Sequence, residues 1–330
     1  MKNHLLIVTI LCSLLVFGCS KEQKQSETQV QEQPKAQENA PAKQVTVPAF
    51  DAQNAWNILI KQTDFGPRTV GSKAHALCQQ FIFTEMQKYA DSVWFQPFTE
   101  QGYNNQRLSM NNILASVNPR AKKRILFLTH WDCRPWADMD KDPKNHNTPI
   151  LGANDAASGV AVLIEMARAM KSAPPQIGID FLFVDGEDYG KEGDAKYYLL
   201  GSRYFAKNLP PGYNPEFGIL LDMVGDSQLE LKRERFSMQY APDIVDLVWN
   251  TAFSMGVMQF TNALETNLGS DDHIPLNEAG IKTIDIIDFA YPNSSVNYWH
   301  TTQDTPEHCS SESLDAVGRV LLQVIYTQNP

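Results

Sequence analysis

Short runs of almost unbroken apolar residues constrain this chain more than any other feature. Ile125-Leu126-Phe127-Leu128-Thr129 and Gly178-Ile179-Asp180-Phe181-Leu182-Phe183-Val184 are the clearest, and Phe217 to Met223 repeats the pattern. Runs of this length without polar alternation are expected for strands buried on both faces, as in a parallel sheet covered by helices. Ile281 to Ile287 reads as a further strand. Each run leads into acids or histidines: His130 and Asp132, then Glu187 and Asp188, with Asp222 closing the third. In parallel α/β folds ligands bind beyond the carboxyl ends of the strands, so these side chains are expected to converge on one site.

Between the strands the spacing predicts helices over Asp51 to Lys61, Ser72 to Tyr89, Ala156 to Met170, a segment around Tyr204, Ile244 to Ser254 and Leu314 to Tyr326. Extended segments are predicted at Val93 to Phe98 and Met110 to Val117. The alternation indicates an α/β fold, a three-layer sandwich with a central mixed, mostly parallel twisted sheet flanked by helices.

The N-terminus is of another kind. The run from Leu5 to Phe17 holds 13 apolar or small residues, against roughly 20 needed to span a bilayer. It fits the apolar region of a bacterial export signal, and Val16-Phe17-Gly18-Cys19 resembles a lipobox. Residues 1–18 are thus expected to be a signal peptide, with Cys19 lipidated. Residues 19–46 are rich in Gln, Glu, Lys, Ala and Pro, too polar to repay the entropy of ordering, and are expected to tether the domain to a membrane. The chain would then be exported to the periplasm, with one catalytic domain over residues 47–330.

Within that domain only Cys78, Cys133 and Cys309 remain, an odd number without a CxxC spacing. Full pairing is excluded, nothing suggests a thiolate metal site, and one disulfide stays possible. A formal net charge of −10 argues against a nucleic-acid partner, since phosphate backbones bind basic surfaces. No heptad pattern points to a partner copy, so a monomer is expected.

Three motifs carry the chemistry. Gly152-Ala153-Asn154-Asp155 places an acid before a helix, where it could be an N-cap or a ligand. Asp185-Gly186-Glu187-Asp188 crowds carboxylates that repel unless a cation or shared proton compensates, the alternative being a solvated acidic turn. Trp299-His300 supplies an imidazole beyond the last strand. Two carboxylates and one His would complete a zinc site with an open position. Asp138, Asp140 and Asp142 alternate like half a calcium loop but lack its glycine and closing Glu, so they read as a solvated loop.

Taken in order, Phe65-Gly66-Pro67-Arg68, His130-Trp131-Asp132, Gly152-Ala153-Asn154-Asp155, Asp185-Gly186-Glu187-Asp188, Asp271-Asp272-His273-Ile274-Pro275 and Trp299-His300 resemble the zinc aminopeptidase-like superfamily, whose fold is also called phosphorylase/hydrolase-like. Within it the chain resembles the type II glutaminyl-peptide cyclotransferases (glutaminyl cyclases), in a bacterial lipoprotein form. That resemblance implies one zinc per chain held by Asp155, Asp188 and His300. It implies Glu187 as general base and acid, Asp222 and Asp271 as its acidic partners, and Trp299 as a wall of the substrate pocket. Asp285 stands where the mammalian cyclases carry a pocket His, and Asp188 stands where they carry a Glu. His130 matches a second-metal ligand of the related aminopeptidases.

The implied substrates are peptides and proteins with N-terminal Gln, and more slowly Glu, closed to pyroglutamate with release of ammonia. A di-zinc aminopeptidase on the same scaffold, with His130 and Asp222 completing a second site, is the alternative reading. A metal-free binding lipoprotein would have lost a ligand or Glu187, and none is lost.

Overall fold

The computed structural model describes residues 46–191 and 193–328; the expected signal, Cys19 and nearly all of the tether lie outside them. Two helices, α1 (Ala52–Thr63) and α2 (Lys73–Tyr89), come first. Their N-termini are fixed by side chains that accept otherwise orphaned amides: Asp51 Oδ1 takes Asn54 N–H at 3.0 Å, and Ser72 Oγ takes His75 N–H at 3.0 Å. An antiparallel hairpin, β1 (Ser92–Gln101) and β2 (Arg107–Val117), follows. The hairpin strands run three residues further at their outer ends than the apolar spacing suggested, because Thr99 to Gln101 pair with Arg107 to Ser109 and Leu108 packs beneath them with Phe98.

Then strands and helices alternate as expected: β3 (Arg124–His130), α3 (Ala157–Ser172), β4 (Gly178–Val184), α4 (Leu200–Lys207) and β5 (Phe217–Asp222). A small parallel pair, β6 (Leu231–Glu234) and β7 (Phe260–Glu265), brackets α5 (Arg235–Tyr240) and α6 (Pro242–Ser254). The short α7 (His273–Glu278), β8 (Thr283–Ile287) and α8 (Ser311–Thr327) complete the described chain.

The main sheet has six strands in the order β1-β2-β4-β3-β5-β8. β3 pairs in parallel with both β4 and β5, β5 pairs in parallel with β8, and β2 runs against its neighbours. Alternate residues enter opposite layers. Ile125, Phe127, Phe181, Phe183, Ile219 and Leu221 pack into the layer that holds α3 and α8. Leu126, Leu128, Leu182, Val184 and Leu220 pack with Phe205 of α4 and Leu276 of α7 on the other face. Burying each such side chain contributes about 1.5–3 kcal/mol, which is why these runs carry no polar alternation. The three-layer α/β sandwich read from the sequence is the observed fold.

Helix α3 lies at the centre of its layer, buried almost all round. Gly159 lets it approach the sheet: a Cβ there would lie 2.7 Å from the Leu221 carbonyl oxygen and still closer to Thr129 Oγ1. Glu165, fully buried on α3, is neutralised by Arg168 at 2.6 and 2.7 Å and accepts the Asp51 amide at 2.9 Å. No described helix is long and apolar enough to cross a membrane. Cys78, Cys133 and Cys309 are buried and unpaired.

Candidate metal centre

β3 lies between β4 and β5, so the chain leaves its carboxyl end on one side for β4 and returns on the other for β5. The switch point this creates is where ligands bind in open α/β sheets. His130, the last residue of β3, points its Nε2 at Asp155 Oδ1 (3.0 Å) and at Asp222 Oδ1 (3.2 Å), while Nδ1 lies 3.7 Å from Asp132 Oδ1. Burial opposes protonation of this imidazole, but the three carboxylates outweigh it and raise its pKa well above the ordinary value.

Asp155 is not a helix cap. The capping position of α3 is Ala156, and no side chain bonds there. The segment before it is held from outside by Arg68, fully buried, which donates to the carbonyls of Leu151 (2.7 Å) and Gly152 (2.6 Å). Gly152 has φ +67°, and a Cβ there would lie 2.7 Å from the Cys133 Cβ. Asp304 accepts the amides of Asn154 (2.8 Å) and Asp155 (3.2 Å). Burial, reinforced by the charge of Asp155, pushes the Asp304 carboxyl up to about 7.

Beyond β4 the acidic turn is also folded onto partners. Asp185 pairs with His75 Nε2 at 2.8 Å and accepts the Asn111 amide at 2.8 Å, so it supports the turn and does not enter the site. Asp132 accepts the amides of Glu187 (3.1 Å) and Asp188 (3.3 Å). With the backbone pinned, Asp188 Oδ1 reaches His300 Nε2 (3.2 Å) and Arg134 Nη1 (2.7 Å). Burial would raise the Asp188 pKa, but His300 and Arg134 hold it down at about 2.

His300 is delivered by a loop in which it adopts φ +56°. The loop is fastened by the Asp138–Asp142 segment: Met139 N–H donates to the His300 carbonyl at 3.2 Å, and Asp140 Oδ2 accepts from Thr302 Oγ1 (2.6 Å) and N–H (3.0 Å). The alternating acids read as a solvated loop are therefore a clamp on the segment carrying His300. Trp299 stacks on His300 with ring centroids 3.6 Å apart and meets Phe289 edge-on at 4.9 Å.

Two buried donor sets result among the described residues: His130, Asp155 and Asp222; and Asp155, Asp188 and His300, the ligand atoms of each lying within 4.8 Å of one another. Asp155 belongs to both. The second set matches what zinc takes from a protein when one position is left open. Asp188 Oδ2 is buried with no hydrogen-bond partner, an uncompensated acceptor that a cation would satisfy. The residues present thus fit the group.

Glu187 belongs to neither set and faces a cavity of about 60 Å³ walled also by Tyr198, Asp222, Asp271, Trp299 and His300. Burial, then the charge of Asp188, raises its pKa well above the ordinary carboxylate range. Asp271 is raised well above it too, by burial and the charge of Asp222. The cavity shares Tyr198, Leu268, Phe289 and Trp299 with a larger groove of about 620 Å³.

Of the expected residues, Asp155, Glu187, Asp188, Asp222, Asp271, Trp299 and His300 meet around this cavity. Asp285, expected on the pocket wall, is instead a core position of β8, 1% exposed and 3.9 Å from His273 Nδ1. It lies behind Asp271, whose charge, after burial itself, raises its pKa. Asp132 is expected near the site but without a role, Tyr198 reads from the sequence as packing beside it, and Arg134 and Asp304 are not singled out by sequence. Their partners are distant backbone amides or side chains, which leave no local pattern.

The sequence profile of peptidase family M28 matches residues 112–325. Among solved structures, a leucine aminopeptidase precursor from Bacteroides thetaiotaomicron is 41% identical with a TM-score of 0.82, covering 86% of this chain and 100% of that one. A glutaminyl cyclase from Bacteroides thetaiotaomicron bound to N-acetylhistamine is 40% identical, with the same TM-score of 0.82 and coverage of 86% and 100%. Aminopeptidase YwaD of Bacillus subtilis is 30% identical over 236 residues, which is 68% of this chain and 46% of that protein, so the chain spans just under half the length of that relative. The profile runs from the middle of β2 to the end of α8 and takes in both donor sets and Glu187: the chain belongs to peptidase family M28.

Proposed function

We propose that this protein is a zinc-dependent glutaminyl-peptide cyclotransferase acting on peptides and proteins with N-terminal Gln. The observation that carries the reading is the small cavity in which Glu187 stands beside, but outside, the Asp155, Asp188 and His300 set. The cavity of about 60 Å³ has room for only about two waters by itself. An N-terminal residue would therefore sit at its mouth, where Trp299 and Phe289 also line the adjoining groove of about 620 Å³ that suits the peptide that follows. The 40% identity to a bacterial glutaminyl cyclase over that whole chain supports the same reading.

The reaction forms a bond between the substrate's α-nitrogen and the carbonyl carbon (Cδ) of its own γ-carboxamide, and breaks the bond from that carbon to the amide nitrogen, which leaves as ammonia. Zinc, when bound, supplies Lewis acidity toward the γ-carbonyl oxygen. Glu187 takes a proton from the α-amine and returns one to the departing nitrogen. Both transfers require a carboxyl whose pKa lies far above that of an exposed Glu, the direction in which burial and Asp188 move it. Asp222 and Asp271 share that proton. Trp299 and Phe289 hold the side chain folded back on its own amine and exclude water, and such positioning replaces the collision of two molecules.

Incubation with a Gln-initiated peptide tests the proposal by mass spectrometry. Loss of one ammonia per peptide supports it, and peptide shortening overturns it. Shortening with two zinc ions per chain would favour the di-zinc aminopeptidase, to which the His130, Asp155 and Asp222 set and the similarity to a leucine aminopeptidase precursor point. Lipidation at Cys19 and display in the periplasm belong to the proposal as well, and are checked by release of Cys19→Ala from the membrane fraction.

A further inference from the structure

Arg134 lies two residues beyond Asp132, just past the end of β3, and is fully buried. Its guanidinium is spent on three partners at once. Nε and Nη2 grip the Asp138 carboxylate at 2.8 and 2.7 Å, Nη2 also donates to the Tyr198 hydroxyl at 2.8 Å, and Nη1 donates to Asp188 Oδ1 at 2.7 Å. Asp138 opens the segment that clamps the loop of His300, and the Tyr198 ring lines the reaction cavity. One planar cation thus ties a ligand carboxylate, a pocket wall and the clamp together.

The two oxygens of Asp188 are left unequal. Oδ1 is taken by Arg134 and lies 3.2 Å from His300 Nε2, while Oδ2 is buried without a partner. We propose that Arg134 is a positioning residue for the metal: by occupying Oδ1 it leaves Oδ2 as the oxygen offered to a divalent cation, and it fixes the rotamer that offers it. Only a guanidinium meets the geometry, since its N–H groups leave one plane in fixed directions, whereas an ammonium is a single point charge. The proposal rests on the metal-binding part of the reading above and not on which reaction follows.

Arg134→Lys keeps the charge and removes the fork. With far-UV circular dichroism as the check on folding, zinc affinity measured by chelator competition is expected to fall about 10–100-fold, the range found when a partner behind a metal ligand is lost. The visible spectrum of the cobalt-substituted protein is expected to change with it. Tyr198→Phe removes only the hydroxyl contact; it is expected to raise KM with zinc affinity and cobalt spectrum unchanged.

A folded Arg134→Lys protein that binds zinc as tightly as the parent, with the same cobalt spectrum, overturns the proposal. If that variant does not fold, Asp138→Asn is read instead, because it slackens Arg134 from its partly exposed side; a smaller loss of zinc affinity supports the proposal and an unchanged affinity overturns it. A parent protein that binds zinc tightly but releases no ammonia from the Gln peptide removes the cyclase reading and leaves the role of Arg134 to these measurements.

Discussion

Asp132 accepts the backbone amide of Glu187 at 3.1 Å, so the end of one strand holds the turn at the end of the next. Glu187, the proposed base, is thereby set on pinned backbone while its side chain stays outside both donor sets. Neighbouring Asp188, pinned by the same carboxylate, has Oδ1 committed to Arg134 and His300 and Oδ2 buried without a partner. Two adjacent carboxylates receive different work from one acceptor.

Glu187→Gln keeps the shape and removes the titratable group. Turnover is expected to fall about 10²–10⁴-fold with zinc content unchanged by metal analysis, whereas His300→Ala is expected to lose zinc as well. Equal zinc loss in the two variants would contradict the separation of base from ligand.

Trp299 is partly exposed to the cavity and stacks on His300 at 3.6 Å. Trp299→Ala is expected to lower kcat/KM for a Gln-initiated peptide about 100-fold through lost positioning, with most of the zinc retained. Complete zinc loss would show that the ring serves chiefly to hold His300.

Gly152→Ala tests the support beneath Asp155. The φ of +67° is unfavourable for alanine, and its Cβ would crowd Cys133 at 2.7 Å and Arg68 Nη2 at 2.9 Å. Overpacking of this kind costs about 1–3 kcal/mol, read as a Tm lowered by about 2–4 °C per kcal/mol. An unchanged Tm would show that the segment relaxes freely.

Asp226 lies away from the reacting centre, with Oδ1 accepting the Gln228 amide at 2.9 Å and Oδ2 buried without a partner. Burial raises its pKa from 3.8 to about 7. Between those values the folded protein holds a proton that the unfolded chain has released, so this group makes stability fall as pH rises through that window. Its contribution is fully present below 3.8 and fully lost above about 7. Asp226→Asn is expected to melt above the parent at pH 8, with the gap closing toward pH 4. A gap that does not vary with pH would refute the assignment.

The sheet was legible because β3, β4 and β5 are buried on both faces, which forces continuous apolar runs such as Ile125 to Thr129. His130, Asp188 and Asp222 were legible because they sit at or just beyond those runs, whereas Asp155 and His300 lie in loops and were reached through the resemblance of their motifs. β6 was not, since Leu231-Lys232-Arg233-Glu234 carries one apolar residue and gains its register from β7, far along the chain. α7 was not either, because His273-Ile274-Pro275 combines a proline with no helical stripe. Asp304 looked like any loop acid; its meaning lies in an amide 149 positions away. Asp140 was misread for the same reason, its partner Thr302 lying 162 positions off.

The three donors Asp155, Asp188 and His300 come from separate parts of the chain, and the last is fastened by Asp140 and by the neighbourhood of Asp304. Contacts so distant in sequence form late, after the cost of closing long loops has been met. A chain emerging from the ribosome therefore carries Asp155 and Asp188 before the third donor of their set has docked. The Asp155, Asp188 and His300 set is expected to be complete only once the His300 segment has docked, and a protein truncated before His300 would lack one of its three donors.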